Sequence, residues 1–199
     1  MNDKKKMNIG IFGGTFNPPH YGHLIVAEHV RERAGLDKII FIPSFISPHK
    51  QAGEEKDARA RLEMVRLAIK DNSHFTVSDI ELKRKGTSYT FETVEALRAE
   101  HTNDLLFFLI GMDNFIEFRT WKFPERIVEQ AKLIVMNRAS YQHNQQQLPF
   151  SSSAIFVDVP DIEISSSEIR ASVKAHRSIR YLVPTSVEEY IMEHRLYRN

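Results

Sequence analysis

The stretch that most constrains this chain is Gly10 to His23, reading GIFGGTFNPPHYGH. Ile9, Ile11 and Phe12 are β-formers around Gly10 and lead into Gly13 and Gly14, so a short buried strand ends there in a flexible turn. Pro18 and Pro19 bar a helix from starting earlier, and a helical run opens near Tyr21. Strand, glycine turn and helix in that order set backbone N–H groups and a positive helix end against an anion. The stretch is neither G-x-G-x-x-G nor G-x-x-x-x-G-K-[ST], so two common phosphate-binding turns lack their key residues.

His20 and His23 add a second feature. Their i,i+3 spacing puts both rings on one helix face, one turn apart. At a helix N-terminus they point toward the anion held by the Gly13-Gly14-Thr15 turn, where imidazole N–H groups donate to phosphate oxygens without taking up a proton. The structural alternative is a pair of surface histidines beside an ordinary βα turn. The glycine turn before them and the Pro-Pro stop favour the functional reading.

On these residues, GGTFNPPHYGH resembles the (H/T)-x-G-H motif of the nucleotidylyltransferase superfamily, which activates the α-phosphate of a nucleotide. Over nearly the whole chain the likeness is to bacterial nicotinate mononucleotide adenylyltransferases. ISSSEIR is similar to their I-S-S-T-x-I-R element, SPHK to P-P-H-K, SYTFETV to S-Y-T-x-D-T, and GMDNF with Trp121 to G-A-D-x-x and its downstream Trp. LVPTSVEEYI resembles their last helix. Asn17, Glu92, Met112 and Ser47 depart from the pattern, and none removes a charge from the triphosphate site.

The resemblance implies transfer of adenylate from ATP to nicotinate mononucleotide, giving deamido-NAD and pyrophosphate by direct in-line attack. It assigns catalysis to His20, His23, Lys50 and Arg170. ATP falls to Gly13, Gly14, Thr15, Phe16, His20, His23, Gly111, Asp113, Ile164, Ser166, Ser167 and Arg170. Nicotinate mononucleotide falls to Lys50, Ser88, Tyr89, Thr90, Trp121 and Arg138. Mg²⁺ accompanies ATP, and no residue is assigned as a resident metal ligand.

The rest of the chain fits an α/β fold, a doubly wound, mostly parallel sheet of the Rossmann-like type with helices on both faces. Strands are expected at Lys38 to Ile42, Phe75 to Val77, Asp104 to Gly111, Leu133 to Met136 and Ala154 to Val159. Helices are expected at His20 to Ala34, Asp57 to Lys70, up to about Glu100 after Gly86-Thr87-Ser88-Tyr89-Thr90, and from Pro124 to Ala131. Ile80 to Lys85 alternates and reads as an edge extension or loop, and Tyr141 to Ser153 as a loop without chemistry. The Ser88 cluster reads as an N-cap, and Ser165 with Glu168 and Thr185 with Glu188 read as capping boxes. The strand ends then gather His20, Lys50, Asp113, Trp121 and Arg170 around one crevice.

A length of 199 residues suits a single domain, with a C-terminal helical segment from about residue 165 packed on it. A net charge of +1 argues against a nucleic-acid surface. The absence of cysteine excludes thiolate chemistry and fits the cytoplasm. No apolar segment is long enough for a membrane span, and a homodimer is left open. Alternatives are a sister enzyme acting on nicotinamide mononucleotide or phosphopantetheine, one transferring CMP, or a non-catalytic nucleotide sensor. RNA binding on a synthetase-like architecture is disfavoured by the near-neutral charge.

Overall fold

The computed structural model describes residues 6–47, 57–138 and 148–198; Lys50 and most of the expected 141–153 loop lie outside them. The elements in order are β1 (Asn8–Gly14), α1 (Tyr21–Arg33), β2 (Lys38–Pro43), α2 (Ala58–Ile69), β3 (Phe75–Val77), α3 (Ile80–Arg84), α4 (Thr90–Glu100) and β4 (Leu105–Gly111). They continue with α5 (Met112–Ile116), α6 (Pro124–Gln130), β5 (Lys132–Arg138), β6 (Ala154–Val159), α7 (Ser166–Lys174) and α8 (Thr185–Glu193).

The strands form one sheet in the order β3-β2-β1-β4-β5-β6, every neighbouring pair parallel. This order reverses direction between β1 and β4, the point at which doubly wound sheets open a crevice beyond their carboxyl ends. Register carries those ends to a common edge: Gly13 pairs with Ile42, Gly14 with Pro43, and Gly111 with Met136.

Alternation along each strand divides the core. Ile9, Ile11, Ile40, Ile42, Leu106 and Phe108 face one side, under Phe91, Val94 and Leu97 of α4 and Ile127 of α6. Phe12, Ile39, Phe41, Phe107 and Leu109 face the other, under Ala27 and Val30 of α1 and Val65 and Ile69 of α2. Each such side chain contributes roughly 1.5–3 kcal/mol by leaving water, so a register slip that turned one strand over would be prohibitive. A third cluster joins Met64 of α2 to Ile169 and Val173 of α7 and Val187 and Ile191 of α8. That cluster seats the C-terminal helices beside the first βα turn. No helix among the described residues is long and apolar enough to cross a membrane.

Three local expectations fail. Ile80 to Arg84 is a short helix rather than an edge extension or loop. Asp79 pairs with Lys83 one turn on at 2.9 Å, and Glu81 turns inward to accept the Thr93 hydroxyl at 2.6 Å, so local pairing outweighs the alternating pattern. Ser88 does not cap α4, because its Oγ accepts the Phe45 N–H at 2.9 Å and Tyr89 occupies the N-cap. Thr185 is the first residue inside α8, after Pro184, so no capping box forms with Glu188. Ser165 does cap α7, accepting the Glu168 N–H at 3.2 Å.

Candidate active site

The turn after β1 is built by close contact. A Cβ at Gly14 would stand 2.9 Å from the Phe16 ring, so only glycine lets that ring fold back over the turn. Phe16 takes a left-handed backbone, is buried, and lies edge-on to His23 with centroids 5.1 Å apart. His20 is the N-cap of α1 and only 7% exposed. The two imidazoles stack at 3.7 Å, parallel to within 29°. Gly22 makes room for this, since a Cβ there would come within 3.0 Å of His20 Nδ1.

The stack defines the protonation state. His23 Nδ1 accepts the backbone N–H of His20 at 3.2 Å, which assigns the proton of the neutral ring to Nε2. Burial lowers the pKa of His20 to about 4. Burial, together with the neighbouring His20, lowers that of His23 to about 3. Both rings are therefore neutral at physiological pH, and His23 keeps an Nε2–H donor without needing a proton from solution. Among the described residues His20 Nδ1 is buried with no hydrogen-bond partner.

The residues between turn and helix are held from distant parts of the chain. Arg61, wholly buried on α2, donates to the Thr15 carbonyl at 2.8 Å and the Phe45 carbonyl at 3.2 Å. Arg170 donates to the Asn17 carbonyl at 2.8 Å, and the Ser166 hydroxyl to the Pro18 carbonyl at 2.8 Å. The Tyr197 phenol donates to Asn17 Oδ1 at 2.6 Å, and burial pushes its pKa up. Arg61 and Tyr197 escape a motif search. The signal for Arg61 is a cation on the same helical stripe as Met64, Val65 and Ala68; for Tyr197 there is none.

A cavity of about 600 Å³ opens beside the turn, lined by Gly13, Gly14 and Thr15 at one end and by Ser88, Tyr89, Thr90 and Trp121 at the other. Trp121 is braced by Phe118 and Phe108, at centroid distances of 5.4 and 6.2 Å. Its volume is in the usual range for small-ligand sites. Glu81 and Lys122, not singled out by motif, line it as well. Glu81 has its carboxyl pKa raised by burial.

Of the residues expected around one crevice, the cavity lining holds Trp121 and the glycine turn. His20, His23 and Arg170 are not among the described residues that line the cavity; they stand along the segment that follows the turn, with Arg170 on the Asn17 carbonyl. Gly111 ends β4, and Asp113 is exposed in the first turn of α5. Ile164 packs with the C-terminal cluster, and Ser167 Oγ accepts from Arg170 at 3.3 Å. Arg138 is the last residue of β5. Lys50 falls outside the described residues. Among the described residues no group of three or more His, Asp or Glu could hold a metal ion.

A cytidylyltransferase-like family model matches residues 11–172. The chain is 41% identical over 191 residues to the nicotinate-nucleotide adenylyltransferase of Bacillus subtilis (strain 168), covering 96% of this chain and 98% of that protein. It is 44% identical to a probable nicotinate-nucleotide adenylyltransferase of Dictyoglomus thermophilum, covering 96% of this chain and all of the relative. Among solved structures, Plasmodium falciparum nicotinic acid mononucleotide adenylyltransferase complexed with NaAD superposes with a TM-score of 0.77 at 21% identity. That superposition covers 96% of this chain and 97% of the other.

Proposed function

The chain belongs to the nicotinate-nucleotide adenylyltransferase family, and from that membership we propose that it joins nicotinate mononucleotide to the adenylate of ATP. A phosphate oxygen of the mononucleotide attacks the α-phosphorus, the bond to the bridging β-phosphate oxygen breaks, and pyrophosphate leaves with that electron pair. The attacking oxygen is already ionised at neutral pH, so no general base and no covalent enzyme intermediate is needed. Catalysis reduces to alignment and to donors placed where charge accumulates.

The observation that carries this reading is the pair of stacked neutral histidines behind the Gly13-Gly14-Thr15 turn, beside a cavity of mononucleotide size. In it His23 donates from Nε2 to the α-phosphate and His20 donates beside it. The Gly13-to-Phe16 turn cradles the triphosphate, with Ser166, Ser167 and Arg170 supporting the outer phosphates and Lys50 adding charge. Gly111, Asp113 and Ile164 take the adenosine side, Asp113 through the ribose hydroxyls. Ser88, Tyr89, Thr90, Trp121 and Arg138 take the nicotinate side, where Trp121 stacks on the pyridine ring.

Mg²⁺ enters as part of the nucleotide substrate, held mainly by phosphate oxygens as its preference for them dictates. We place the protein in the cytoplasm, acting as one nucleotidylyltransferase domain. The test is pyrophosphate release from ATP with nicotinate mononucleotide, nicotinamide mononucleotide and phosphopantetheine offered separately. The reading expects nicotinate mononucleotide to be preferred; preference for either of the others overturns it.

A further inference from the structure

Of the described residues lining the cavity, two carry formal charge, and they differ in what they have left to give. Glu81 is 7% exposed and receives the Thr93 hydroxyl at 2.6 Å, so its carboxyl is already engaged within the wall. Lys122 is exposed, and its ammonium lies 4.1 Å from the centroid of the Tyr89 ring, with Phe91 and Phe123 each at 5.8 Å. Among the described residues it has no carboxylate partner within ion-pair distance. Aromatic faces hold a cation in place but leave its charge uncancelled. The first residue of α4, Thr90, lines the same wall, so the positive end of that helix adds to the field.

This wall is where the proposed function puts the pyridine ring, and the inference rests on that reading. Nicotinate and nicotinamide have the same ring and nearly the same shape; they differ in a negative charge. A cavity can select the acid only by offering something that the carboxamide cannot use. We infer that Lys122 is the specificity-determining residue of this site, pairing its ammonium with the carboxylate of an aromatic-acid mononucleotide and so favouring it over the carboxamide. Tyr89 acts with it by fixing the ammonium at the rim rather than letting it sweep through solvent.

The experiment measures kcat and KM for nicotinate mononucleotide and for nicotinamide mononucleotide at saturating ATP and Mg²⁺, in the full chain and in Lys122→Met and Lys122→Arg. Because Lys122 is exposed, a matching Tm shows that the variants are folded. Loss of a charge-assisted contact predicts that Lys122→Met narrows the acid-over-amide ratio by about tenfold to a hundredfold. The change is carried by KM for the acid, KM for ATP moves by less than about threefold, and Lys122→Arg restores most of the ratio. A ratio within about twofold of the parent, or an equal rise in KM for ATP, overturns the assignment of Lys122 alone. A parent enzyme that turns over neither mononucleotide refutes the proposed reaction, and the assignment falls with it.

Discussion

The two halves of the site are built to opposite specifications. The histidine half is locked: four side chains from α2, α7 and the C-terminus bind the peptide and amide groups of Thr15, Asn17 and Pro18, and the imidazoles are stacked on one another. The half proposed to take the acceptor is a roomy cavity whose lining includes exposed Lys122. Chemistry at the α-phosphate demands donors fixed in advance, because reorganising them at the moment of reaction would cost rate. Recognition of an entering mononucleotide needs access. On the proposed reading, rigidity is concentrated where charge develops, and openness where the acceptor arrives.

Substitutions can break this contrast. The largest effect is expected for His23→Ala, which removes the Nε2 donor and should lower kcat by about 10²–10³. Pyrophosphate release with the ATP affinity measured alongside checks it, and near-normal turnover would erase the distinction between the halves. Next is Gly22→Ala. Its Cβ would meet the His20 ring at 3.0 Å, shift the stack by a few tenths of an ångström, and slow turnover by about tenfold to a hundredfold while leaving KM for the acceptor near the parent value.

Arg61→Met tests the lock rather than the donors. It leaves the part-buried Thr15 and Phe45 carbonyls without the guanidinium, for a loss of about 2–4 kcal/mol in urea unfolding accompanied by a fall in kcat. Tyr197→Phe removes one hydrogen bond to Asn17 and should cost only about 1 kcal/mol, with turnover reduced severalfold. Equal and small effects from all four would mean that the first turn needs no bracing.

What could be read in the amino-acid order follows the same division. The histidine half is contiguous: strand, glycines, prolines and both rings fall within fourteen letters. Spacing therefore implies that the rings are neighbours, although His20 is the extended N-cap of α1 rather than a residue on its face. The parallel sheet is legible too, because its central strands are short continuous apolar runs such as Leu105–Gly111. The bracing is not legible, since Arg61 reaches Thr15 across 46 positions and Tyr197 reaches Asn17 across 180, and periodicity carries no record of such pairings. Gly22 is the glycine of the (H/T)-x-G-H motif, but that its role is to be small next to His20 is something only coordinates reveal. Ser88 and Thr185 show the opposite error, residues of capping type whose hydroxyl or position is committed otherwise. Lys122 follows the tryptophan that marks the acceptor side, yet a single lysine has no pattern to distinguish it from a solvated one.

The central claim is that His20 and His23 are buried neutral donors facing the nucleotide phosphates. Nitrogen-15 NMR of the histidine rings, titrated in pH with and without ATP, addresses it directly. The account predicts rings that stay neutral through pH 5, with midpoints depressed toward about 4 for His20 and about 3 for His23. It also predicts an Nε2-protonated His23 whose resonance moves when ATP binds. Midpoints near the ordinary value of about 6.5, with no response to ATP, would contradict it.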